Sequence, residues 1–217
     1  MSLLEFIKNS PKAELHLHIE GTLEPELMFL LAERNNIQIP FKNIDDVKKA
    51  YNFNNLDSFL KIYYEGAKVL INEKDFFDLT WAYALKCKEE NIVHVEIFFD
   101  PQTHTDRGIS FDIVINGIYK ALQKAQNEFN LSFKIIMCFL RHLDEDSGYK
   151  VLDHAIIHKD KIFGVGLDSS EAGNPPNKFK KLFKKATENN FVTVAHAGEE
   201  GPPEYMWEAL NLLNVKR

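Results

Sequence analysis

From Ile92 onward the chain alternates short apolar runs with stretches of helical spacing, and few architectures accept that rhythm. Ile92–Phe99, Phe133–Leu140, Ile162–Asp168 and Phe191–Ala197 are rich in β-branched and aromatic residues. Phe111–Phe129, Glu145–His158, Asn177–Glu188 and Pro203–Leu213 follow them in turn, with apolar residues three and four apart. Strands alternating with crossover helices predict a parallel sheet, and runs apolar on both faces predict that helices cover it. A first strand at Ala13–Ile19 brings the count to five, and Val215 marks the beginning of a sixth. Between the first two strands the pattern predicts helices from Pro25 to about Arg34, at Asp45–Tyr51, at Leu56–Ile71 and at Glu73–Glu90. An eight-stranded barrel needs about 250 residues. The 217 residues therefore predict a single α/β domain over 1–217, a (β/α)8 TIM barrel truncated after about five to six strands. The competing architecture is an open doubly wound sheet. No G-x-G-x-x-G follows the first strand and no Walker A motif occurs, which argues against nucleotide-phosphate folds.

Composition narrows the class of partner. With 45% hydrophobic and 27% charged residues the chain reads as globular rather than disordered. A net charge of -6 offers no electrostatic reason to bind nucleic acid or an anionic membrane, so a small-molecule partner is expected. Cys87 and Cys138 form no C-x-x-C, which excludes a cysteine-rich zinc module and fits a reducing compartment. No apolar run approaches about 18 residues and no signal peptide is legible, so a cytoplasmic protein is expected. No feature specifies an oligomeric state.

The polar residues that break the pattern gather at strand ends, where barrel enzymes place their chemistry. His16, His18 and Glu20 follow the first strand, Asp100 the second, Arg141 and His142 the third, Asp168 and Glu171 the fourth, and His196 and Glu199 the fifth. In Ala13–Ile19, alternation puts His16 and His18 on one face of a buried strand and Ala13, Leu15, Leu17 and Ile19 on the other. Three imidazoles suit zinc, which in catalytic sites keeps one position open for water and lowers that water's pKa towards about 7. Glu199, three residues past His196 and across a glycine, is placed to move a proton. The plainer readings are interior histidines bonded to backbone, and an acid favoured by a helix N-terminus. His154 and His158 have i,i+4 spacing without the Glu of a zincin motif, and Lys178, Lys180, Lys181, Lys184 and Lys185 read as a solvated helix face.

His16-Leu17-His18-Ile19-Glu20-Gly21 together with His196-Ala197-Gly198-Glu199 resembles the adenosine/adenine deaminase family of the amidohydrolase superfamily, over essentially the whole chain. The resemblance implies a (β/α)8 barrel with one zinc per subunit, held by His16, His18, His196 and an Asp after an eighth strand. It also implies that Glu199 donates a proton to purine N1 while a zinc-activated water attacks C6 and ammonia leaves. A His after a sixth strand and a second Asp would orient that water; this sequence contains neither. Within the family the chain leans towards the adenine branch. Glu20 stands where adenosine enzymes carry Asp, and Phe98 and Asp100 stand where they tend to carry Arg and Ser. Larger and more acidic groups would fill the ribose space and bond a bare base at its imidazole edge, so Glu20, Asp100 and Asp168 are the expected substrate contacts. Gly166–Glu171 departs from the Gly-containing adenosine pattern, which leaves a backbone N–H to meet purine N3. The implied activity is deamination of adenine to hypoxanthine and ammonia in purine salvage, with adenosine to inosine as the alternative. A non-catalytic fragment is the alternative of another class, for which poor solubility and little activity are expected of the chain alone.

Overall fold

The computed structural model describes residues 2–217. Five parallel strands form one sheet: β1 (Lys12–His18), β2 (Ile92–Phe99), β3 (Ser132–Leu140), β4 (Gly164–Asp168) and β5 (Val192–Thr193). They lie side by side in chain order, β1-β2-β3-β4-β5. A doubly wound sheet reverses its strand order part-way. The sequential order removes that alternative and is the winding of a β/α barrel.

Before β1 lies α1 (Leu3–Asn9), and between β1 and β2 lie α2 (Pro25–Asn35), α3 (Ile44–Ala50), α4 (Leu56–Ala67) and α5 (Glu73–Glu89). Later come α6 (Pro101–Thr105), α7 (Phe111–Phe129), α8 (Glu145–Ile157), α9 (Lys180–Glu188) and α10 (Pro203–Leu212). Sequence periodicity anticipates the long helices. It misses α6, and it reads α1 as a turn although a Ser2–Glu5 capping box starts that helix. Five asparagines, Asn36, Asn91, Asn130, Asn190 and Asn214, adopt left-handed backbone where helices end. Asparagine tolerates that conformation better than other side chains, so these residues turn the chain out of one element and into the next.

The main core joins the helix-facing side chains of the sheet (Val95, Ile97, Phe99, Ile135, Met137, Phe139, Val165 and Leu167) to α5, α7, α8 and α9. Gly117 makes the α5–α7 contact possible, since a Cβ there would lie 2.5 Å from the Glu73 carbonyl oxygen and 2.6 Å from Phe76. A second, smaller cluster on the opposite face holds Phe98, Ile136, Cys138 and Val194.

Two strands depart from expectation. β1 is an edge strand with β2 as its sheet neighbour, and its register shifts between Glu14 and Leu17. Strict alternation therefore fails: Leu15 is 43% exposed, Ala13 is exposed, and Glu14 turns to accept a 2.5 Å bond from Tyr83 of α5. β5 is shorter than Phe191–Ala197, yet the bonds Val194 N–H to Val165 O (3.0 Å) and His196 N–H to Leu167 O (2.9 Å) carry its pairing to His196. The expected start of another strand at Val215 has its counterpart in Lys216 N–H to Thr193 O (2.8 Å) and Ala195 N–H to Arg217 O (3.1 Å).

Candidate active site

Register decides which side chains meet. His18 pairs with Phe98, Phe98 with Ile136 and Ile136 with Gly164, while β3 and β4 run four residues further to the Leu140–Asp168 pair; this stagger brings Asp168 of β4 to His18 at the end of β1. His196 joins them through its bond to Leu167. The three imidazoles converge there: Nε2 of His16 lies 2.7 Å from Nε2 of His196, and Nε2 of His18 lies 3.1 Å from His196 and 3.4 Å from His16. A tetrahedral ion with bonds of about 2.0–2.1 Å sets its ligand atoms about 3.3 Å apart, so these nitrogens fit zinc. Burial first, and then the neighbouring His196 and His18, lower the His16 pKa to about 4. His16 is therefore neutral at physiological pH and offers a lone pair, as metal binding requires.

Each imidazole is oriented from behind. The Asp168 carboxylate lies 3.3 Å from His18 Nδ1, which leaves Nε2 to face the other two histidines. The edge of Phe98 packs against His16 (4.7 Å) and His18 (5.1 Å). Glu199 Oε2 lies 3.3 Å from His196 Nδ1, and this contact holds the Glu199 carboxyl below its ordinary pKa.

Beside the histidines opens a cavity of about 280 Å³. Its walls include His16, His18, Asp100, Asp168, Ser169, His196 and Glu199, with Leu56, Phe59, Leu60, Tyr63 and Tyr64 of α4 closing one side. Asp100 and Asp168 are both buried; Asp100 Oδ1 lacks a hydrogen-bond partner, and the Asp168 oxygens have none beyond the 3.3 Å contact of Oδ2 with His18 Nδ1. Burial, and then the charges of Asp168 and Glu20, push the Asp100 pKa well above the ordinary carboxylate value. Buried acceptors without donors are uncommon in folded proteins, and two such carboxyls on one cavity wall mark a place where a ligand completes the bonding.

Glu20 is not on that wall. Its Oε1 accepts from the Asp100 N–H (3.0 Å) and from His104 Nε2 (3.0 Å), while Oε2 accepts from Tyr63 O–H (3.1 Å). Its position behind Asp100 sets it apart from the cavity wall, where direct substrate contact was expected of it. The longer side chain reaches under the next strand and is saturated there. His104 is fully buried as Glu20's partner, and Arg107 caps the carbonyl oxygens of Ala67, Lys68 and Leu70. His154 and His158 stack on Phe111, away from the cavity. Sequence reasoning missed α4 as a cavity wall. Its apolar residues at positions 56, 59, 60, 63 and 64 carry the helical spacing, but that pattern is the same whether a helix covers core or ligand.

The adenosine deaminase family model matches residues 11–217. The chain belongs to the adenosine deaminase family. It is 60% identical over 217 residues to an adenine deaminase from Acinetobacter baylyi, covering all of this chain and 65% of that protein. It is 59% identical over 215 residues to an adenine deaminase from Psychrobacter cryohalolentis, covering 99% of this chain and again 65% of the relative. The chain thus spans about 65% of the length of these curated relatives. Among solved structures, adenine deaminase from Arthrobacter aurescens superposes with a TM-score of 0.93 at 47% identity, over 95% of this chain and 63% of that one. An amidohydrolase from Burkholderia ambifaria, solved with bound Zn, gives a TM-score of 0.89 at 25% identity, over 100% of this chain and 61% of that one. No helix among the described residues is long and apolar enough to cross a membrane.

Proposed function

We propose that residues 1–217 act within one catalytic domain that hydrolyses adenine to hypoxanthine and ammonia, a cytoplasmic step of purine salvage. One observation carries this reading: three imidazole Nε2 atoms converge beside a cavity whose buried carboxyl oxygens lack donors. The relatives named adenine deaminase and the Zn-bound amidohydrolase neighbour support it.

His16, His18 and His196 would hold one zinc per subunit. Bound there, zinc would lower the pKa of a water towards about 7 and so supply a nucleophile at neutral pH. Asp168 keeps His18 in the tautomer with Nε2 free. Glu199, ionised in the free site, takes a proton from the attacking water and delivers it to purine N1 as C6 becomes tetrahedral. The exocyclic amine then takes the proton of the C6 hydroxyl and leaves as ammonia as the C6–N bond breaks, and the C6 carbonyl of hypoxanthine forms. Asp100 and Asp168 accept from the imidazole-edge N–H of a free base, a donor that a nucleoside has replaced by its glycosidic bond. The apolar side chains of α4 hold bulk water off the ring.

The test is ammonia release by the zinc-loaded protein, expressed from its complete reading frame, with adenine and adenosine side by side. Adenine is expected to turn over faster, and a preference for adenosine would overturn the assignment. Glu199→Gln is expected to lower kcat by about 10²–10⁴-fold with zinc retained. Activity equal to wild type would remove Glu199 from the proton path.

A further inference from the structure

The turn between β5 and α10 carries both His196 and Glu199, and two buried ions lie beneath it. Arg141, just past β3, and Glu171, just past β4, are both fully buried, and neither lines the cavity. Glu171 Oε1 accepts from the Gly198 N–H (2.8 Å); Oε2 accepts from the Glu200 N–H (2.7 Å) and the Gly201 N–H (2.8 Å). Arg141 Nη1 donates to the His196 carbonyl oxygen (2.8 Å) and lies 3.5 Å from Glu171 Oε1, while Nε donates to the Asn174 carbonyl oxygen (2.9 Å). Lys178 Nζ donates to the Arg141 carbonyl oxygen (2.9 Å).

The pattern of donors is specific. One carboxylate takes the N–H groups of residues 198, 200 and 201, so the backbone is pinned immediately before and immediately after Glu199. Gly198 sits at φ +82°, a conformation that permits the tight turn, and a Cβ on Gly201 would come within 3.0 Å of the Glu171 carboxyl carbon. Burying two full charges is expensive unless geometry and hydrogen bonds compensate. A turn between a strand and a helix does not need such a pair to exist. The side chain whose backbone is clamped is the one on which proton transfer depends, and displacements of about an ångström at such a group cost large factors in rate.

We propose that Glu171, backed by Arg141, is a positioning residue that fixes the Glu199 carboxyl over the reacting purine. The proposal rests on the role given to Glu199 above, and its consequences separate from that role. A glutamine at 171 presents one acceptor oxygen and one donor nitrogen, so at least one of the three turn N–H groups loses its partner. Aspartate keeps both oxygens on a shorter stem.

The experiment compares wild type, Glu171→Gln and Glu171→Asp, zinc-loaded and expressed from the complete reading frame. Three readouts are taken: amide hydrogen exchange at 198, 200 and 201 with Val165 and Leu167 as sheet controls, zinc content, and kcat and KM for adenine. Glu171→Gln is expected to speed exchange at the turn amides by at least about tenfold with the controls unchanged. It is also expected to keep one zinc and to lower kcat by about 10–100-fold with KM within about threefold, the scale of losses at supporting partners. Glu171→Asp is expected to recover part of both effects, and it carries the test if the glutamine variant does not fold. Unchanged exchange at the turn amides overturns the clamp. Faster exchange with unchanged kcat overturns the positioning role, and zinc loss in proportion to kcat would assign the pair to His196 instead. A wild type that releases no ammonia from either purine sinks the functional reading, and the exchange data alone then judge the clamp.

Discussion

Replacing His104 by phenylalanine isolates the interaction that holds Glu20 beneath the cavity. His104 is fully buried, and Arg107 Nη2 donates to its Nδ1 at 3.0 Å, which puts the ring proton on Nε2, facing Glu20 at 3.0 Å. Phenylalanine keeps the ring and its edge contact with Phe76 (4.7 Å) and removes the donor to Glu20. Glu20 retains the Asp100 N–H and the Tyr63 hydroxyl, so the loss at Glu20 is one hydrogen bond to a charged acceptor, about 1.5–3 kcal/mol, and the bond from Arg107 Nη2 to the ring goes with it. At about 2–4 °C per kcal/mol for a chain of this size, Tm should fall by at least about 3–12 °C at neutral pH. The pH dependence has a definite sign. Burial works against the Glu20 carboxylate, but the His104 bond and then the Asp100 N–H hold its pKa below the ordinary 4.5. A depressed carboxylate contributes stability above its unfolded pKa and loses it as pH falls through the folded value. Burial also lowers the His104 pKa below 6.5, so wild type alone loses stability as the unfolded chain takes up that proton at lower pH. The His104 effect makes the gap between wild type and His104→Phe largest near pH 7–8 and smaller towards pH 4.5, and the Glu20 effect narrows it further below pH 4.5. Melting curves across that range measure it. Equal Tm values at neutral pH, or a gap that widens on acidification, would refute the reasoning.

Two further outcomes follow from the same geometry. Chelation of a metal held by His16, His18 and His196 should lower Tm by about 8–16 °C from a state in which free metal stood a thousandfold above its Kd, since that excess contributes about 4 kcal/mol. A melting curve unmoved by metal removal, with the loss verified by elemental analysis, would place the metal elsewhere. Glu20→Asp should slow adenine turnover without raising adenosine turnover, because an aspartate one methylene shorter cannot reach all of the Asp100 N–H, His104 and Tyr63 donors. A rise in adenosine turnover relative to adenine would restore the view that Glu20 fills the ribose space.

The fold was legible wherever periodicity had one physical cause. Ile97 and Phe139 sit in runs buried between the sheet and its helices, so near-continuous apolar sequence marked their strands correctly. β1 was harder because its pairing with β2 does not keep one register along its length. A register shift there turned Glu14 towards Tyr83 and left Leu15 in solvent, and no residue type in Ala13–Ile19 announces that shift. α1 escaped because an exposed helix with no buried residue has no core-facing stripe. Its signature in the sequence is the Ser2–Glu5 capping box, which is independent of burial.

For the site, residue chemistry and strand position were visible, and the partners that hold each residue were not. His16, His18, His196 and Glu199 could be named because histidines and acids at the ends of apolar runs are out of place in a core. Glu20 carried the same signal, yet it lies behind the cavity wall, since an acid at a strand end can face a ligand or saturate itself against its neighbours. What separates the two cases is the supply of donors. Asp100 Oδ1 has none and the Asp168 oxygens have only the 3.3 Å contact with His18 Nδ1, whereas Glu20 takes a backbone N–H, a histidine and a tyrosine from three different elements. Those donors arrive from residues up to 84 positions away, a distance over which local pattern carries no information. The same holds for Arg141 and Glu171, whose partners across the β5–α10 turn turn two unexplained charges at strand ends into a support for Glu199.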